Sequence, residues 1–301
     1  MRRVGLWMYQ NGGGDLIERS IVAKLKERNI EVVVGLDLRF ATATTDGIVC
    51  NGINMSYLDA FFSYNAGEQT LAQVYMYEAL ASQIPTINNY EAFKLSEDKF
   101  RTNMAMASKG IRTTDFLLCH REQIEPISNK FDEWSKIVLK PIDGWGGTGM
   151  VLLDSRSTFE SLKPFFNQMD IRQIYVERFI ENDFSDYRID IVDGEFVGCY
   201  GRRASERDWR TNITSGGSII TREPNDELVD LATRATEAVG LEIAGVDILY
   251  DREREEYVVL EVNGIPAFAT PEQEKLGIDF NTLKIDKIVN MIDKITKKGR
   301  A

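Results

Sequence analysis

Lys140-Pro141-Ile142-Asp143-Gly144-Trp145-Gly146-Gly147-Thr148-Gly149 sets four glycines within six residues, between apolar runs over 136–141 and 149–153. A tight turn between two strands needs one or two glycines; four leave a backbone whose N–H groups can converge on an anion. Lys140 stands where the first strand should end and adds a fixed cation. Trp145 is expected to close over whatever the loop holds, because an aromatic ring on a bare turn tip leaves apolar area in water. The stretch predicts a phosphate cradle between two strands. No Gly-Lys-Ser or Gly-Lys-Thr occurs, so it is not the Walker type.

A hairpin is expected further along, with Val246–Tyr250 and Tyr257–Val262 as strands and a polar turn through 251–254. Glu261 and Asn263 are two apart on a strand and leave the same face. A hairpin symmetric about Arg254 sets Asp247 opposite Glu261. Three oxygen donors then meet on one face of an otherwise apolar hairpin. Carboxylates that close repel unless a cation lies between them, and an oxygen-only set suits Mg²⁺ or Mn²⁺. On this reading, neutralising Asp247 or Glu261 leaves the metal-free protein as stable or more so.

Cations cluster between these motifs: Arg188, Arg202, Arg203 and Arg210, the last ahead of Thr211, Asn212 and the Gly216-Gly217 turn. Guanidinium forks bind phosphate or carboxylate through two oxygens at once. Upstream, Val4–Tyr9, a helix over 16–28 and a strand over 31–36 read as a βαβ unit of a parallel sheet. Gly12-x-Gly14 lacks the third glycine of a dinucleotide fingerprint, since Ile17 stands there. Ser96 is expected to cap a helix that stops at Gly110, and further helices span 226–239 and 285–295, the last running into Lys-Lys-Gly-Arg.

The rest of the composition bounds the function. The chain has 301 residues, 43% apolar and 28% charged, enough to build packed cores. Its formal charge, 36 − 47 = −11, argues against a nucleic-acid partner held on a basic face. No apolar run approaches the roughly 18 residues of a membrane span, and Met1-Arg2-Arg3 leads into a strand rather than a signal peptide. Three unpaired cysteines suit a reducing cytoplasm, and a single histidine, His120, leaves no Ser-His-Asp triad and no multi-histidine metal site. His120 reads as structural.

In this order, the motifs resemble the ATP-grasp superfamily, and within it the RimK-type glutamate ligases that modify a ribosomal protein tail or extend pterin and deazaflavin cofactors. The likeness spans roughly residues 88–295. It implies an α/β (α+β) ATP-grasp fold of three subdomains: an N-terminal parallel-sheet domain (1–90) and two α+β lobes, central (91–175) and C-terminal (176–301), clasping ATP. By resemblance, Lys99 contacts the nucleotide, and Lys140 with Gly144, Gly146, Gly147 and Gly149 holds phosphate. Glu177, Arg178 and Phe179 belong to the adenine hinge, and Asp186 falls at a ribose contact. Arg210, Thr211 and Asn212 form a nucleotide segment, with Arg188, Arg203 and Arg210 as catalytic arginines. Asp247, Glu261 and Asn263 match the magnesium motifs, implying two ions. The family commonly has an acid where Arg178 stands, and continues Ala or Pro, Ser, Pro, Gly after the asparagine; here the run is Gly264-Ile265-Pro266-Ala267-Phe268.

The resemblance implies a cytoplasmic ligase, compatible with a homo-oligomer, that activates a carboxylate as an acyl phosphate and couples it to an amine. Glutamate is one such amino acid, and ADP and phosphate are released. Two alternatives stay open: a thiol acceptor on a carrier protein, and a non-catalytic ATP-binding subunit.

Overall fold

The computed structural model describes residues 1–65, 70–144 and 146–298. Trp145, and with it the expectation that its ring closes over the loop, lies outside the described residues, as do the terminal residues 299–301. The first elements are β1 (Arg2–Met8), α1 (Gly14–Glu27), β2 (Ile30–Val33), a small sheet of β3 (Ala41–Thr44), β4 (Gly47–Cys50) and β5 (Ile53–Asn54), then β6 (Ala60–Tyr64), α2 (Leu71–Ala81) and β7 (Thr86–Ile87). β1, β2, β6 and β7 form a parallel sheet in the order β2-β1-β6-β7, so the expected βαβ unit is present. Gly13, in a left-handed conformation, precedes α1.

α3 (Tyr90–Ser96) and α4 (Lys99–Ser108) lead into a second sheet made of β8 (Phe116–His120), β9 (Ile137–Lys140), β10 (Val151–Leu153) and β11 (Gln173–Arg178), in the order β10-β9-β11-β8. It is covered by α5 (Glu125–Trp134), α6 (Arg156–Ser161) and α7 (Lys163–Gln168) and has a core of its own around Ile127, Phe159 and Val176. Ser96 does not cap α4. It closes α3, its hydroxyl donating back to Phe93 O, and Asp98 caps α4 by accepting from the Arg101 N–H. Both residues are good N-caps, and the two-residue break between the helices decides which one acts. His120 ends β8 and accepts the Glu122 N–H, a structural contact.

The third sheet, antiparallel, runs β14-β13-β12-β15-β16, from β12 (Ser185–Val192), β13 (Glu195–Arg203), β14 (Ser218–Ile220), β15 (Ile243–Asp251) and β16 (Glu256–Asn263). α8 (Asp226–Val239) buries an apolar stripe on one face of it, capped by Asn225 and ended by Gly240 in a left-handed conformation. After the short α9 (Pro271–Lys275), the long α10 (Asn281–Lys297) and the other face of the sheet close against the N-terminal parallel sheet. One core cluster there runs from Leu6 and Tyr64 through Val192 and Tyr200 to Ile288 and Ile292. No described helix is long and apolar enough to cross a membrane.

Candidate active site

β9 and β10 pair antiparallel, Leu139 opposite Val151, so the glycine loop leaves the end of that ladder beside Lys140. Gly144, Gly146, Gly147 and Gly149 all have positive φ, and a Cβ on Gly147 would lie 2.8 Å from Asn212 Oδ1. Here the glycines are required. The loop is tied at its carbonyls: Lys99 Nζ donates to Gly144 O (2.6 Å), Thr214 Oγ1 to Gly146 O (2.6 Å) and Arg210 Nη1 to Gly147 O (2.9 Å). The N–H groups of Gly144, Gly146 and Gly147 have no partner among the described residues. Bonded carbonyls and open donors are what an anion cradle requires.

Beside the loop, a cleft of about 500 Å³ is walled by Val138, Met150, Phe179, Ile180, Leu249 and Leu260, with Trp209 to Asn212 at its rim. Lys140 closes its base. Its ammonium is buried in a close ion pair with Glu177, whose other oxygen accepts the Tyr175 hydroxyl (2.8 Å). Along the hinge, Arg178 N–H donates to Asp115 O and Phe179 N–H to Lys136 O. The buried Ile180 N–H is left without a partner among the described residues. An apolar slot with a buried, unsatisfied main-chain donor fits the edge of a purine. Arg178 lends the slot its backbone, while its guanidinium turns into a cage of Asp115, Asp251 and Glu253 at the hairpin tip. That cage explains how a base replaces the family's acid without entering the slot.

A second compartment continues from Lys140 and the glycine loop to Lys99, Arg202, Asp247 and Glu261. Asp247 does pair with Glu261, through a bulge. The turn-side half of the hairpin pairs Ile248 with Val259, and the extra residue, Leu260, shifts the register so that Asp247 meets Glu261 and Gly245 meets Asn263. The bulge turns both Leu260 and Glu261 toward the cleft. Asn263 Nδ2 lies 3.3 Å from Asp247 Oδ2. Two facing carboxylates and a carboxamide fit a hard divalent cation; among the described residues no third Asp, Glu, His or Cys joins them.

The arginines decide the electrostatics. Asp247 is buried between Arg188, which donates from Nε and Nη2, and Arg202, at 2.9 Å. Burial pushes the Asp247 carboxyl up, but the two guanidiniums outweigh it and hold it below the usual carboxylate range. Glu261 keeps a looser partner, Lys99 at 3.5 Å. The expectation of bare, mutually repelling carboxylates is therefore corrected. Arg202 also grips Asp186, whose carboxylate accepts in addition from Thr211 Oγ1, so the proposed ribose contact is engaged within the protein. Arg203, its neighbour, points to the other face of β13 and is exposed; it lines neither compartment. Strand parity separates the two: Arg202 shares the buried face of Tyr200, Arg203 does not. Arg210 is gripped by Asp208 and bound to the glycine loop.

The sequence reading passed over Arg202 as the arginine of the cleft. It also missed the apolar wall, and Glu177 as the counter-charge of Lys140. Parity along β13 carried a signal for Arg202; nothing distinguished Val138, Met150, Leu249 or Leu260 from ordinary core.

The RimK-like ATP-grasp domain model matches residues 96–292. Over 220 residues the chain is 30% identical to a protein named probable alpha-L-glutamate ligase from Syntrophotalea carbinolica, covering 72% of this chain and 70% of that one. It is 28% identical over 246 residues to the tetrahydromethanopterin:alpha-L-glutamate ligase of Methanocaldococcus jannaschii, covering 80% and 79%. In fold it is similar to the ATP-grasp ligase PsnB, solved with a phosphomimetic variant of its minimal precursor, Mg and ADP. The TM-score is 0.69 at 17% identity, over 96% of this chain and 97% of that one. The chain belongs to the RimK-like ATP-grasp family and is a carboxylate–amine ligase of the ATP-grasp fold.

Proposed function

We propose that this ligase joins the amino group of L-glutamate to the carboxylate of a small molecule or peptide, using ATP and releasing ADP and phosphate. A carboxylate is a poor electrophile, so it must first be activated. One of its oxygens attacks the γ-phosphorus of ATP, the bond to the β–γ bridging oxygen breaks, and ADP leaves. The amine nitrogen then attacks the acyl carbon and loses a proton, and phosphate departs as the amide forms. Adenine would fill the apolar slot against the Ile180 N–H, and the phosphates would lie along the glycine loop between Lys140 and Lys99. Asp247, Glu261 and Asn263 would hold one or two Mg²⁺ or Mn²⁺ ions, which when bound neutralise and orient the phosphates. Arg188, which lines neither compartment, would act through its grip on Asp247, and Arg202 would meet the charge that develops on the transferring group. Arg210 holds the loop down over it, and Arg203 has no part. In this reading 1–90 bounds the second substrates, 91–175 brings the glycine loop, and 176–301 brings the metal side.

One observation carries the reading. Open glycine N–H donors, two lysines and the Asp247–Glu261 pair border one compartment next to an apolar slot. Relatives named for alpha-L-glutamate ligation support glutamate as the amine. The test incubates the protein with Mg·ATP, L-glutamate and a panel of carboxylates, following ADP by a coupled assay and products by mass spectrometry. ADP formation that matches a new amide supports it. A thioester cleaved by neutral hydroxylamine, or ATP binding with no turnover on any pair, would overturn it in favour of carrier loading or a non-catalytic role.

A further inference from the structure

The run Gly264-Ile265-Pro266-Ala267-Phe268 leaves β16 directly after Asn263 and forms no helix or strand. Its carbonyls are held instead by side chains from distant parts of the chain. Asn88 Nδ2 donates to Gly264 O, Tyr64 hydroxyl to Pro266 O, and Lys284 Nζ to both Pro266 O (2.9 Å) and Ala267 O (3.1 Å). Asn281 continues the pattern by bonding both main-chain groups of Ala269 (2.8 Å each). The run lies directly on the third sheet. Asp190 is flanked across the strands by Gly198 and Gly245, and a Cβ at these would lie 2.4 Å from Phe280 and 2.6 Å from Pro266. The sheet is dented on both sides of Asp190 to admit the run and the start of α10.

Lys284 is the centre of this arrangement. It is fully buried, pairs with Asp190 at 2.7 Å, and lies 4.6 Å from the Phe268 ring centroid. A buried ion pair is weak evidence of stabilisation, because desolvating both charges offsets much of their attraction. This pair is also incompletely bonded: Asp190 Oδ1 is buried with no partner. What it does achieve is geometric, since an ammonium with three donors can pin two carbonyls and a carboxylate at once. Asp190 lies two residues along the same face of β12 from Arg188, the residue that grips Asp247.

We propose that Lys284, seated on Asp190, is a positioning residue for the second-substrate side of the cleft. It fixes the path of 264–268, and through it ties Asn263 and Glu261 to the N-terminal sheet, where the Tyr64 hydroxyl holds Pro266 O. ATP is held on the other side, by the slot and the glycine loop, and does not depend on this run. The proposal rests on the reading of the cleft as a glutamate-using ligase site.

The test compares the full-length protein with Asp190→Leu/Lys284→Met, which removes both buried charges at similar volume, and with Tyr64→Phe, which removes one bond to the same carbonyl. Hydrogen exchange is followed for peptides covering 264–270 and 285–296, and KM for ATP and for L-glutamate is measured with the best carboxylate. In the double variant, exchange over 264–270 should rise at least tenfold while 285–296 stays protected. Its kcat/KM for L-glutamate should fall at least tenfold, with KM for ATP within twofold. Tyr64→Phe should move the same peptide and the same parameter in the same direction by two- to threefold, which decides the matter should the double variant not fold. Unchanged exchange over 264–270 overturns the proposal, as does a defect shared equally by ATP and glutamate. Should the wild-type protein not use L-glutamate at all, the functional reading fails, and the exchange data still decide whether Lys284 positions the run.

Discussion

The apolar slot and the charged compartment beside the glycine loop share one cleft and Lys140, yet they are built on different plans. In the slot, the charged groups that reach the lining are tied to protein partners and the wall between them is apolar. Lys140 is buried with Glu177, Arg178 is caged by three carboxylates, and Val138, Met150, Phe179, Ile180, Leu249 and Leu260 make up the apolar wall. At the charged end the charges face the cavity, where Lys99, Arg202, Asp247 and Glu261 are lining groups. There each sign is already paired with the other. A preformed apolar slot binds by shape and needs no rearrangement. A self-compensated charged site must exchange protein partners for ligand partners, so binding there costs whatever pairs it breaks. The lesson is that the slot should set affinity and the paired charges should set rate.

The sharpest break of this comparison is Asp247→Asn. Turnover should fall on the order of 10³-fold, by analogy with the loss of a preorganised charge in a dry site. Two buried guanidiniums also lose their carboxylate, a loss of about 3–5 kcal/mol of stability by denaturant titration. Glu261→Gln should lose comparable activity but no more than about 1 kcal/mol, because Lys99 is a distant partner. Equal stability losses would erase the distinction between the two carboxylates. The same pairing sets a pH dependence. Asp247 titrates below its ordinary value of 3.8, so its contribution is intact above that pH and is lost as the pH falls through the lower folded-state value. Acid titration of Asp247→Asn should show a shallower loss of stability below pH 4 than the wild type.

Lys140→Met comes next, since it strips Glu177 of its counter-charge at the junction of the two regions. About 3 kcal/mol of destabilisation is expected, with a tenfold or greater rise in KM for ATP. Lys140→Met/Glu177→Leu should recover part of the stability and none of the KM, measured on one set of melts and ATP titrations. Arg210→Lys, which breaks the fork to Asp208 and the bond to Gly147 O, should lower kcat about tenfold with little change in ATP affinity. Arg203→Ala should stay within about twofold in both parameters, as expected of an exposed residue away from any site. A large effect there would mean that the strand parity separating Arg202 from Arg203 is misread.

The two regions were also unequally legible in the sequence. The charged end announces itself through residue types that are rare in such patterns: four glycines in a strand connection, acids on an apolar hairpin, arginines in an acidic chain. Asp247 and Glu261 were legible as partners even though a bulge at Leu260 intervenes, because the bulge restores the register that symmetry about Arg254 suggests. The slot is silent by contrast. Its wall is made of Val, Met, Ile and Leu, which read as core in any window, and it becomes a pocket only through the way two sheets face each other. Partnerships are equally silent. That Glu177 balances Lys140, that Arg188 covers Asp247, and that Ser96 ends one helix while Asp98 begins the next are decided by long-range packing or by a two-residue break, which periodicity does not resolve.

The most direct measurement follows oxygen. The carboxylate substrate is labelled with ¹⁸O in its carboxyl group, and the phosphate released on amide formation with L-glutamate and Mg·ATP is examined by mass spectrometry. An acyl phosphate requires one labelled oxygen to pass from the carboxylate to phosphate in each turnover, with ADP as the only nucleotide product. Unlabelled phosphate, or label recovered in AMP together with pyrophosphate, would contradict the account.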